Sequence, residues 1–242
     1  MAHIMGSPDE ANKKQTSKDD QDAALKDSLA RIQNKIMVMS GKGGVGKTST
    51  SVNLAVALAR LGYQVGLMDV DLHGPDVPRV LGLMGMIGLS PNHKLAPMPF
   101  NDNLKVVSIE SLTASKDEAI IWRGPIKFSA IRQFIADVEW GQLDFLIIDA
   151  PPGTSCPVIA AMKGTDFVIM VTEPTPFGLH DLKLGVGAVK ILGIPHGLVI
   201  NRSDIGNDEV REYAAKEEIP ILMEIPFDRE IAVAYSRGKL LV

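Results

Sequence analysis

The octapeptide Gly41-Lys42-Gly43-Gly44-Val45-Gly46-Lys47-Thr48 constrains this chain more than any other stretch. An apolar run, Ile36 to Met39, precedes it and reads as a buried strand. Ser49 to Leu61 follows, with Leu54, Leu58 and Leu61 on one helical face and Gly62 as a stop. A strand, a glycine-rich turn and a helix start in immediate succession make an anion cradle. The glycines let the backbone wrap inward, its N–H groups point at the anion, and the helix terminus adds a positive dipole. The stretch satisfies G-x-x-x-x-G-K-[ST], in which the Gly41–Gly46 backbone, Val45 included, surrounds phosphates. Lys47 then reaches the β/γ oxygens, Thr48 ligates magnesium and Ser49 joins them in the nucleotide-binding set.

The loop alone leaves a second reading open. Gly41, Gly43 and Gly46 also fit G-x-G-x-x-G, and Asp69 stands at a strand end about 20 residues on, as in a dinucleotide site. That reading, an NAD-dependent dehydrogenase, gives no reason for Lys47-Thr48 or for a second acidic strand end at Asp149. Val65 to Met68 ends in Asp69-Val70-Asp71, and Phe145 to Ile148 ends in Asp149-Ala150-Pro151-Pro152-Gly153. Carboxylates at the carboxyl ends of strands lie where open α/β sheets gather ligands. A nucleoside-triphosphate site uses all of them.

Further strands are expected at Lys105–Ile109, Phe167–Val171, Gly197–Ile200 and Pro220–Glu224, and helices at Ile126–Ala136, Gly178–Leu192 and Asp208–Glu217. The alternation predicts an α/β fold, a mostly parallel sheet flanked by helices on both faces, in a single domain. Residues 1–34 read as a tail: Met1 to Ser7 resembles an expression-vector remnant, residues 8–22 are polar, and Leu25, Leu29 and Ile32 suggest a short leading helix. Residues 35–242 form the expected domain. Gly82 to Pro99, rich in Gly, Met and Pro, reads as a surface excursion.

The formal net charge of −4 disfavours a general nucleic-acid binder. One cysteine, Cys156, gives no disulfide, so a cytoplasmic protein is the default. Apolar runs fall short of the roughly 20 residues that span a bilayer.

The second lysine of the loop carries a family resemblance. Lys42-Gly43-Gly44-Val45-Gly46-Lys47-Thr48 is similar to the deviant Walker A signature of the MinD/ParA/Mrp/NifH class of P-loop ATPases. The resemblance implies a P-loop fold, ATP and Mg2+ as cofactors, and a homodimer with ATP sandwiched at its interface, Lys42 contacting phosphate across it. It further implies that Asp71 positions the attacking water, that Asp69 and Asp149 serve the magnesium, and that the Gly153 N–H meets the γ-phosphate. Asn201-Arg202-Ser203-Asp204 resembles the base-recognition segment, with Pro226-Phe227 as the other wall of the base pocket.

Residues His73 to Gly82 and Trp122-Arg123-Gly124-Pro125 resemble the Mrp branch, which carries or helps assemble iron–sulfur clusters for apo-protein or scaffold partners. Thr154 to Gly238 is closer to MinD-like ATPases of the ferredoxin-containing type. The C-x-x-C through which Mrp-type carriers hold a cluster is missing, so a cluster on this chain alone is doubtful. Cys156 reads as a small apolar side chain, with a redox or ligand role as its alternative. The ending Lys239-Leu240-Leu241-Val242 carries no amphipathic membrane helix and reads as a truncated or chimeric C-terminus. The expectation is a slow Mg-dependent ATPase of the cluster-carrier kind. The alternative is a positioning switch like MinD or ParA.

Overall fold

The computed structural model describes residues 29–71, 74–83, 85, 87–109, 134, 137–162 and 164–242. In chain order the elements are β1 (Ile32–Met39), α1 (Lys47–Arg60), β2 (Val65–Asp69), α2 (Val77–Leu81), β3 (Gly88–Leu89), β4 (Leu95–Ala96), β5 (Met98–Pro99) and β6 (Leu104–Ser108). There follow β7 (Leu143–Asp149), α3 (Cys156–Met162), β8 (Phe167–Thr172), α4 (Pro176–Ile191), β9 (His196–Asn201), α5 (Glu209–Lys216), β10 (Ile221–Ile225) and α6 (Arg229–Ser236).

Eight strands form one sheet in the order β10-β9-β8-β1-β7-β2-β6-β5, parallel throughout except for the short β5 against β6. The central strands β2, β7 and β8 are near-continuous apolar runs because both of their faces are covered. One core cluster gathers Met37, Met39, Met68, Leu146, Ile148, Met170 and Leu182 on one side of the sheet. The other gathers Val38, Val52, Val56, Leu67, Ile147 and Val171 under α1. Opposite faces of the same strands thus feed two cores, as the period-2 alternation of a strand requires.

Strand order positions the site. β1 lies between β7 and β8, and β7 lies beside β2, with Asp69 in register with Asp149. The chain leaves β1 into the glycine loop, so that loop, both acidic strand ends and the end of β8 meet at one carboxyl edge.

The sequence reading needs adjustment at several places. Ile32 belongs to β1, paired with Leu143, and not to a leading helix. Its burial supplied the apparent helical spacing with Leu29. Within Gly82 to Pro99 the chain forms the hairpin β3–β4, and β5 then joins the main sheet. These two-residue strands are too short to show alternation. Helices α2, α3 and α6 have no counterpart in the sequence reading, being five, seven and eight residues long. The leading-helix residue Leu25, the helix expected at Ile126–Ala136 apart from Phe134, the Trp122–Pro125 segment, His73 and the side chain of Cys156 lie outside the described residues.

Candidate functional site

The phosphate loop begins at the buried end of β1. Ser40 donates its hydroxyl to the carbonyl of Lys42 at 2.7 Å, tightening the turn. Gly41 lies so close to α4 that a Cβ there would fall 2.5 Å from Asp181. Gly46 precedes α1 with φ +96°, a left-handed conformation that a side chain disfavours. A Cβ at Gly46 would also lie 2.5 Å from Asn201 Nδ2. No side chain caps α1, and its first turn holds no acidic residue. The helix start therefore keeps its positive end for an anion.

Three side chains of α1 converge on one carboxylate. Lys47 Nζ lies 2.8 Å from Asp149 Oδ1, Thr48 Oγ1 donates to Asp149 Oδ2 at 2.8 Å, and Ser51 Oγ donates to Asp149 Oδ1 at 2.7 Å. Lys47 is 7% exposed and Asp149 1%, so this is an ion pair withdrawn from water. Sequence reasoning missed Ser51. It stands one helical turn after Thr48, and that i, i+3 spacing was the available signal.

Asp69 is fully buried. It accepts the backbone N–H of Asp71 at 3.1 Å and of Val77 at 3.2 Å, and the Ser108 hydroxyl at 3.4 Å. Burial, and then the negative charge of Asp149, push its carboxyl well above the usual carboxylate range. Lys47 and the two backbone N–H groups offset this only in part. Two adjacent buried carboxylates with one lysine between them are short of positive charge. Asp71 follows one residue after Val70, half-buried at the same edge.

Gly153 stands with φ +88° and donates its N–H to the Ser40 carbonyl at 2.8 Å. A γ-phosphate contact by this N–H would require that bond to break.

The expected base segment reaches the loop directly. Asn201 ends β9 and donates Nδ2 to the Val45 carbonyl at 2.9 Å, while its Oδ1 accepts the Arg202 N–H at 3.0 Å. Ser203 N–H donates to the Ile225 carbonyl at 2.9 Å, and Phe227 N–H to Asp204 Oδ1 at 2.6 Å. Pro226-Phe227 thus lies against residues 201–204, with the Phe227 side chain exposed. Lys42 Nζ lies 3.6 Å from Glu173 Oε2, and Glu173 also pairs with Arg202. Glu173 went unnoticed in the sequence, although it follows the end of β8 as an acid, the pattern that singled out Asp69 and Asp149.

Hard oxygen donors from one hydroxyl and two carboxylates, beside a lysine and an uncapped helix start, could hold Mg2+ and a phosphate chain. Among the described residues, no group of three or more His, Cys, Asp and Glu side chains is placed to hold a metal ion, and no helix is long and apolar enough to cross a membrane.

The chain is similar to known proteins along most of its length. The chain is 38% identical to the iron-sulfur cluster carrier protein of Methanococcus maripaludis, over 98% of this chain and 88% of the relative. It is 37% identical to the cytosolic Fe-S cluster assembly factor NUBP2 homolog of Dictyostelium discoideum, over 87% of each chain. Among solved structures it resembles a nucleotide-binding protein from Archaeoglobus fulgidus in complex with ADP, with a TM-score of 0.77 and 29% identity, covering 90% of this chain and 92% of that one. It also resembles the septum site-determining protein MinD of Pyrococcus horikoshii complexed with Mg-ADP, with a TM-score of 0.66 and 26% identity, covering 86% of each chain. Residues 31–242 match the ParA model described as NUBPL iron-transfer P-loop NTPase, and the chain belongs to that family.

Proposed function

We propose that this chain is a Mg2+-dependent ATPase that pairs around two ATP molecules and works as a switch in iron–sulfur cluster carriage or assembly. The observation that carries the nucleotide reading is the convergence of Lys47, Thr48 and Ser51 on Asp149 beneath an uncapped helix start. Thr48, Asp149 and Asp69 would hold Mg2+, which supplies charge neutralisation along the phosphates. Lys47 and the loop N–H groups bind and align the phosphate chain. Asp71, two residues beyond β2, orients the attacking water, and Asn201 and Arg202 face the base. Alignment and charge stabilisation are what phosphoryl transfer chiefly demands.

The cargo reading rests on the cluster carriers and assembly factors among the relatives. A [4Fe–4S] cluster usually takes four thiolates, whereas two copies of this chain supply two, so a partner or scaffold would contribute the rest. That single cysteine, with the likeness to MinD, favours a second reading: a positioning switch whose turnover only resets a binding surface.

ATP hydrolysis and light-scattering mass, with and without Mg2+, test the switch on the wild type and on Asp71→Ala. Slow hydrolysis by the wild type, and an ATP-trapped dimer of the variant, are expected. A chain that neither binds ATP nor pairs contradicts the proposal. Iron-dependent absorbance after anaerobic reconstitution with a candidate apo-protein separates cluster carriage from positioning.

A further inference from the structure

Glu173 has no part in the chemistry described so far, yet it is a nearly buried carboxylate, its side chain 10% exposed, held between two cations. Its place follows from the sheet. β8 lies between β1 and β9, so the first residue after β8 stands between the loop that follows β1 and the segment that follows β9. Lys42 comes from the first and Arg202 from the second. The Glu173 backbone is fixed as well: its carbonyl accepts the Thr175 N–H at 2.8 Å, and a Cβ at Gly178 would lie 2.3 Å from that carbonyl. A withdrawn carboxylate on a fixed backbone presents a localised negative charge. Lys42, a third exposed, is drawn to it at 3.6 Å.

We propose that Glu173 is the positioning residue of Lys42. It holds Lys42 on its own protomer, and ATP-driven pairing requires Lys42 to leave this carboxylate for the phosphates of the second copy. The inference rests on the dimeric reading of Lys42 given above. A lysine ammonium is one compact charge, so its contact with Glu173 and a close contact with a second nucleotide compete. Arg202 remains on Glu173 when Lys42 leaves, so the carboxylate is never left buried without a cation. The device thus sets how much ATP is needed for pairing while leaving the phosphate site of each protomer intact.

The test is light-scattering mass of the full chain against ATP concentration with Mg2+, alongside ATP affinity measured at protein concentrations too low for pairing. Glu173→Gln should lower the ATP concentration for half-maximal pairing by about three- to fivefold, the size expected for a partly exposed ion pair. The low-concentration ATP affinity, which reads the Arg202 side of the same carboxylate, should shift by less than the pairing midpoint. Glu173→Asp, which keeps the charge but shortens the reach, should shift the midpoint the same way by less, and stands in should the Gln variant fail to fold. The double variant Lys42→Ala/Glu173→Gln should pair no better than Lys42→Ala. An unmoved midpoint in both Glu173 variants, or a double variant that pairs better than Lys42→Ala, overturns the inference alone. A wild type that binds ATP but stays a single protomer overturns it together with the proposed dimer.

Discussion

The middle of the sheet and its β10 edge are built differently. Around β1, β7 and β2 the carboxyl-terminal residues of the strands are buried, and the polar groups that follow them are bound to one another. At the other edge, the first four residues of β10 are exposed, Leu222 and Met223 among them, and α6 buries no residue. β10 is held by its ladder to β9, and side-chain contacts tie the segments that follow these strands: Asn201 to Val45, Asp204 to Phe227, and Arg211 to Glu224 at 2.8 Å. The proposed phosphate site is thus seated where displacement is costly. The segments after β9 and β10, more exposed and held by fewer buried contacts, should open at lower cost than the middle of the sheet.

The largest expected effect breaks the buried middle. Lys47→Ala leaves Asp149 withdrawn from water without its cation, which should cost about 3 kcal/mol in denaturant unfolding. ATP binding by calorimetry should fall at least about a hundredfold, since both phosphate and carboxylate lose their counter-charge.

Gly46→Ala strikes the joint between the two regions. Its left-handed backbone and the crowding of Asn201 Nδ2 should cost about 1–3 kcal/mol and weaken ATP binding. A variant with wild-type stability and affinity would show that the loop and the base segment are not in contact.

Asp69 gives the comparison a pH axis. Its folded carboxyl titrates above the ordinary range, so between the two values the folded chain keeps a proton that the unfolded chain has released. Stability of the nucleotide-free protein should therefore fall as pH rises through that window. Mg2+ favours the ionised form and should flatten the slope. Thermal midpoints from pH 4 to 8, with and without Mg2+, check the sign.

The exposed edge should answer weakly. Arg211→Ala removes partly exposed pairs with Glu224 and Asp208 and should cost less than about 1 kcal/mol. Met223→Ser should stay within about 0.5 kcal/mol. A much larger loss from Met223→Ser in the isolated chain would mean that this edge is covered in solution.

The same contrast explains what was legible beforehand. Buried strands and the glycine loop write themselves into sequence as apolar runs ending in Asp69, in Asp149 and in Gly41-Lys42, so the sheet and the residues gathered at its carboxyl edge could be located. Ser51 and Glu173 were less visible because their significance lies in contacts across the fold, about 100 residues away for Ser51. Helix α6 is eight residues long and only half-buries Ile231, Val233 and Ala234, too short a stripe to stand out. The Gly153 N–H bond to Ser40 is a conformational state, which residue types do not record.

The most direct measurement is calorimetric titration of the wild-type chain with ATP, with Mg2+ and again with EDTA, followed by NAD as competitor. Tight ATP binding that needs Mg2+ and ignores NAD is expected from a site built on Lys47, Thr48 and Asp149. Binding of NAD regardless of Mg2+, with no heat from ATP, would contradict it.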